Sequence, residues 1–212
     1  MFTGNTIDLK SAAQGLAMDV VRDCALSYVA KIPSKLPRRF VPCGAPQHIE
    51  AALAHSDIAG IVTTPEHSHL VPEHMGLALA EDPIAASLFL HEALCDMDGF
   101  LWSHFDTRIH NDARIHPSAV IAERDVEIGP GCWVGPGSVV MERSVLEKNC
   151  HVGVGVVVGL EAFEIFEGVQ PRRILKQAGG VWLKDGATVL AKSTIARATF
   201  GGFTLIEEHA ML

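Results

Sequence analysis

Residues 128–140 read Ile-Gly-Pro-Gly-Cys-Trp-Val-Gly-Pro-Gly-Ser-Val-Val, one short pattern written twice. Ile128, Val134 and Val140 stand six apart. A glycine follows directly at Gly129 and Gly135, and a small residue comes four places on at Cys132 and Ser138. Upstream, after a slip of one residue, the phase continues through Ile121, Ile115 and Ile109. Downstream it runs through Leu146, Val152 and Val158, breaks over 164–182, and resumes at Leu183, Val189 and Ile195. After a second interruption over 200–204, Leu205 and Met211 restart it.

An amphipathic helix repeats every 3.6 residues and cannot hold a strict six, so the pattern predicts a coil of short strands. Each hexad supplies one strand and one turn, with the aliphatic side chain inside and a small residue beside it. The glycines are expected to permit the tight corners. Three hexads close one coil, and stacked coils about 4.8 Å apart pair every backbone group with a neighbour. The predicted fold is an α/β domain over 1–104 followed by an all-β parallel β-helix over 105–212, interrupted by an insertion at about 164–182. In the first domain, 12–21 and 46–55 carry helical patterns, and Ile58–Thr63 and 76–80 read as strands. Thr64-Pro65 and Asp82-Pro83 each place a capping residue before a proline, the second ahead of a helix reaching about Cys95.

Composition narrows the function. The 212 residues are 48% hydrophobic and 20% charged, with a formal net charge of −8, which argues against nonspecific binding to nucleic acid. The most apolar run, 152–160, is short and broken by glycine, so no stable membrane insertion is expected. No secretory leader is visible, and five scattered cysteines without a CxxC pair read as reduced thiols, which together predict a cytoplasmic protein.

Ile115-His-Pro-Ser-Ala-Val-Ile121, the 128–135 segment and 152–159 resemble the hexapeptide-repeat acyltransferases, which implies a left-handed coil and, by family habit, a homotrimer. Within that superfamily the chain is most similar to the UDP-3-O-(3-hydroxyacyl)glucosamine N-acyltransferases of lipid A biosynthesis. Val157-Val-Gly-Leu-Glu-Ala-Phe-Glu-Ile165 resembles their "VVGxDGFGY". The segment Gln177-Ala-Gly-Gly-Val-Trp-Leu-Lys-Asp-Gly-Ala-Thr-Val-Leu-Ala-Lys-Ser-Thr-Ile195 resembles "QxGRVIIGDxVEIGAxTTI". Ile58–Thr63 with Glu81-Asp-Pro-Ile-Ala-Ala86 is similar to the second half of their uridine-binding domain. The family's "TTIDRG" becomes Ser193-Thr-Ile-Ala-Arg-Ala198, with Ala196 in place of aspartate.

The resemblance implies acyl transfer from a thioester, on acyl carrier protein or coenzyme A, to the amine of a nucleotide-linked sugar, with no bound cofactor. Phe40-Val-Pro-Cys-Gly-Ala-Pro-Gln-His48 stands for the family's uracil-contact stretch "FxxNPKY", making Phe40, Pro46 and His48 the substrate-binding candidates. Arg172, Arg173 and Lys176 form a basic cluster that could meet a phosphate of coenzyme A or an acidic acyl carrier protein, with Phe163 beside it.

Such a transfer needs a base to deprotonate the amine, and histidine suits it. The family's base lies two places after an inward aliphatic, in an "IAHN" hexad that would fall about seven residues beyond Leu212 in this phase. His110 and His116 sit one place after an aliphatic, His209 four and His151 five. His151, nearest the middle of the regular coils, is the first candidate, although a plain surface position is the better reading of all four. The His67-x-His69 pair with His74 reads as a solvated loop and no metal site is expected. The competing reading is an inactive scaffold or ligand-binding relative that has lost the base. A zinc carbonic anhydrase on the same prism would need three converging histidines that this spacing does not offer.

Overall fold

A computed structural model describes residues 1–166 and 172–212, so the expected insertion at 164–182 lies partly outside the described residues. Contacts divide the chain into two units. One holds Phe2–Trp102 and Phe163–Lys176; the other holds Met1, Ser103–Ala162 and Gln177–Leu212.

The first unit is built on a five-stranded sheet in the order Asp19–Arg22, Gly76–Leu79, Ile58–Thr63, Arg39–Cys43, Tyr28–Val29. The first pair is antiparallel and the others are parallel. Its helices are α1 (Leu9–Ala12), α2 (Pro46–Leu53) and α3 (Pro83–Cys95). The Asp82 carboxylate accepts the Ala85 N–H at 3.0 Å, so the expected cap of α3 is made, with Pro83 in the first turn. Thr64-Pro65 opens a six-residue 3₁₀ turn, Pro65–Leu70, in which the Thr64 hydroxyl meets His67 Nδ1 at 2.8 Å rather than capping the backbone. The helix expected over 12–21 is absent. α1 ends at Ala12, Gly15 turns the chain at a φ of +80°, and Asp19–Arg22 is the edge strand of the sheet.

The segment Phe163–Lys176 clusters with this α/β unit rather than with the coils that precede and follow it in sequence. Ile165–Phe166 pairs antiparallel with Arg173–Ile174, and the Phe166 ring packs 4.8 Å from that of Phe89 on α3.

The second unit is a parallel β-helix. Ile128 pairs with Leu146 and Leu146 with Leu183, Val134 with Val152 and Val152 with Val189, Val140 with Val158 and Val158 with Ile195. One coil is therefore three hexads, and the excursion after Val158 returns the chain to the same face. Val134, Val140, Val152, Val158, Leu183 and Val189 are fully buried, as the inward positions must be. Serine fits the small slot because its hydroxyl finds the backbone of the next coil. Ser138 donates to the Gly153 carbonyl at 2.6 Å and accepts from the Val156 N–H at 3.2 Å.

Two details differ from the expectation. Of the glycines directly after the aliphatics, Gly159 is left-handed at φ +88°, but Gly129, Gly135 and Gly153 are not; the repeating left-handed corners lie three places after, at Gly131, Gly137, Arg143, Asn149, Gly155, Gly186 and Lys192. Gly153 serves close approach instead, because a Cβ there would stand 2.8 Å from the Ala191 backbone nitrogen. The last coil is also displaced by one residue. Leu183 pairs with Ile206, so Ile206 is the inward residue, whereas Leu205 is 42% and Met211 77% exposed.

Candidate functional site

In open α/β sheets, ligands bind outside the carboxyl ends of the parallel strands. Here those ends lead to Gly44, Thr64 and Ala80, each shortly before a proline-started turn or helix. Two depressions lie near them. One of about 460 Å³ is lined by Lys31, Ile32, Pro42, Gly44, His48, Ala51 and Ile84. The other, about 580 Å³, has an apolar floor including Leu79, Ala86 and Phe89 under the acids Asp19, Glu81 and Asp82. The first carries Lys31 and His48 toward an anionic ligand; the second repels one.

The three uridine-pocket candidates do not converge. Phe40 is fully buried in the Arg39–Cys43 strand, where it fills core and offers no face to a base. Pro46 lines a different depression on α2, with Glu50 and Leu70. Only His48 reaches the Lys31 pocket.

The basic cluster is also changed by its partners. Arg173 forms a two-pronged ion pair with Glu92 of α3 and lies over the Phe166 ring at 4.9 Å. Lys176 pairs with Asp96. Two of the three charges thus answer carboxylates on α3 and at its C-terminal end, 81 and 80 residues away in sequence. Arg172 remains exposed and Phe163 is 83% exposed. Beneath this segment, the His91 imidazole donates from Nε2 to the Lys176 carbonyl at 2.9 Å, and burial pushes its pKa down.

In the β-helix, His151 points outward and its ring stacks on the Trp133 indole one coil away. His110 and His116 bind their own turns, through the Asp112 N–H at 3.2 Å and the Ser118 hydroxyl at 2.8 Å. His209 is itself a left-handed corner. None of these four makes a hydrogen bond to a buried carboxylate among the described residues.

A fifth histidine does, and the sequence reading passed over it. His104 Nδ1 lies 2.6 Å from Asp125 Oδ2, and Asp125 Oδ1 accepts the Phe105 N–H at 2.9 Å. The available signal was the one-residue slip between Ile121 and Ile128. Asp125 lies within that slip, at φ +61°, and is fully buried.

Among the described residues, no group of three His, Cys, Asp or Glu side chains could hold a metal ion. No helix among them is long and apolar enough to cross a membrane.

Residues 125–160 match the family described as bacterial transferase hexapeptide (six repeats). That stretch is a run of hexapeptide repeats. No curated protein matches the chain. One of the solved structures that match is described as the X-ray crystal structure of a mutant GDP-perosamine N-acetyl transferase from Caulobacter crescentus in complex with CoA and GDP-perosamine. The identity is 16%, covering 81% of this chain and 89% of that one, with a TM-score of 0.17.

Proposed function

We propose that the protein transfers an acyl group from a thioester, on coenzyme A or acyl carrier protein, to the amine of a nucleotide-linked sugar. The observation that carries this reading is the match of residues 125–160 to transferase hexapeptide repeats, on a β-helix in which Ile128, Leu146 and Leu183 stack in one row and Val134, Val152 and Val189 in another. The presence of an α/β unit with an open crevice at its strand ends supports the nucleotide half of the reading, and the lipid A enzymes remain the subfamily the sequence resembles. His48 and Lys31 are the groups placed to meet the anionic nucleotide. Arg172 and the exposed Phe163 are offered to the donor, its phosphates or an acidic carrier. Exposed Val120, Val154 and Leu190 on the prism are suited to burial against two further copies in a homotrimer.

The test is thiol release from acyl-coenzyme A and acyl carrier protein in the presence of UDP- and GDP-linked amino sugars. Release that depends on the amino sugar supports the reading. Tight binding of a nucleotide sugar without release favours the second reading, a ligand-binding scaffold. That alternative draws on the absence of any histidine two places after an inward aliphatic among the described coils.

A further inference from the structure

We infer that the acid-rimmed recess beside the first turn of α3 binds a small organic ammonium ion with an apolar body. The inference goes beyond the acyl-transfer reading and does not depend on it.

The recess, about 580 Å³, lies wholly within the α/β unit and has the size of a small-molecule pocket. Asp19 pairs with Leu79 across the antiparallel edge of the sheet, which sets the turn residues Ala17 and Met18 beside the chain as it leaves Leu79. The Ala80 N–H donates to the Thr63 carbonyl at 3.0 Å, tying that chain to the end of the neighbouring strand, shortly before Pro65 begins its turn. The Asp82 cap then starts α3, and Ala85, Ala86 and Phe89, three and four residues apart, fall on one face of it. Alanine stands at lining positions 17, 80, 85 and 86, so the walls stop short of one another and leave a hollow that longer side chains would fill.

The floor of that hollow is apolar. Met18 and Leu79 are half-buried, and Ala80 and Ala86 are buried. The Phe89 ring packs 4.8 Å from that of Phe166 and is still 37% exposed, so it leaves aromatic surface to the recess.

Charge selects the ligand. The ionisable lining residues are Asp19, Glu81 and Asp82, all acidic and all exposed. Asp82 is engaged in capping α3, whereas Asp19 and Glu81 have no cationic partner among the described residues. An ammonium group answers them, because its N–H bonds donate to carboxylates with the full assistance of charge. The same cation is drawn to an aromatic ring, and an apolar body behind it covers Met18 and Leu79. An anion is repelled by these acids, so the ligand differs in class from the nucleotide placed at Lys31 and His48.

The test is isothermal titration calorimetry of the full chain, at low ionic strength and neutral pH, with phenethylamine, phenethyl alcohol, phenylacetate and methylamine. The first three share an aromatic body and differ in charge; methylamine keeps the charge without the body. Phenethylamine should bind at least about tenfold more tightly than the alcohol or methylamine, and phenylacetate should not bind. Ala17→Phe, at an exposed position, should fill the recess and weaken phenethylamine at least about tenfold, while Glu81→Gln and Asp19→Asn should each weaken it about threefold. The carbon-13 methyl signal of Met18 should shift as phenethylamine is added, which places the ligand. Phenethylamine binding no better than the alcohol or methylamine, binding of phenylacetate, affinity unchanged in all three variants, a Met18 signal that does not move, or no binding below about 10 mM would each overturn the inference. None of these results measures turnover, so each leaves the acyl-transfer reading standing.

Discussion

The imidazole of His151 lies 4.4 Å from the Trp133 indole at an interplanar angle of 23°, a face-to-face stack on the outside of the prism. The two residues pair across adjacent coils, and the indole also covers Gly135, where a Cβ would meet it at 2.7 Å. This makes His151 part of a packed surface ladder. The His151→Ala variant should retain transfer activity within about twofold in steady-state assays. A loss of about 100-fold at His151 would return it to the active site.

Two glycines one coil apart should respond differently to alanine. At Gly137, φ is +66° and no atom lies within 4 Å of an added Cβ. The cost there is backbone strain alone, about 1 kcal/mol. At Gly153 the same methyl would sit 2.8 Å from the Ala191 nitrogen and 2.9 Å from the Val189 carbonyl oxygen. Coils must separate to admit it, at a cost of about 3 kcal/mol. Denaturant unfolding of the two variants measures the difference, and equal costs would mean that the coils are not in such close contact.

The legibility of the chain follows from how local each feature is. The hexad phase is local, so the β-helix and the slip at Asp125 could be read directly from residues 109–158. The proline-started turns after Gly44, Thr64 and Ala80 could be read for the same reason. The register of the last coil could not. Gly201 and Gly202 adopt φ values of +132° and +67° in the preceding excursion, and the count shifts from Leu205 to Ile206. The candidate site was harder still. Neither Glu92 beneath Arg173 nor Asp125 beneath His104 is near its partner in sequence, and Phe40 resembles a ligand contact until the sheet buries it.

The Arg39 guanidinium, entirely buried, meets Asp57 Oδ2 at 2.8 Å, while Asp57 is 36% exposed. Removing the carboxylate leaves a buried cation uncompensated. The exposure of Asp57 reduces the usual cost of such a loss, and Asp57→Ala should destabilise the α/β unit by about 2–3 kcal/mol. Burial acts to raise the Asp57 pKa, but the hydrogen bond from Arg39 and its charge hold it below the ordinary carboxylate value. A depressed carboxylate contributes stability above its unfolded pKa of about 4 and loses it as pH falls through the folded value. Wild-type stability should therefore fall more steeply than that of Asp57→Ala below about pH 4. Parallel curves would remove the pair from the account.

The thiols should differ sharply in reactivity. Burial pushes Cys43 up to about 12, and burial with the nearby Asp23 and Asp8 pushes Cys24 up to about 11. The Cys150 thiol is raised too, by its hydrogen bond with Cys132 and by burial. Only thiolates alkylate readily. Iodoacetamide at pH 8 should therefore modify half-exposed Cys95 first, as read by peptide mass mapping. Fast labelling of Cys43 in the folded protein would contradict the buried core around it.

The most direct measurement is tandem mass spectrometry of the acceptor after incubation with a thioester donor. The account predicts a nucleotide-linked amino sugar heavier by one acyl group, with fragments placing that group on nitrogen as an amide. An unmodified acceptor with every donor, or an acyl group found only on oxygen, would contradict it.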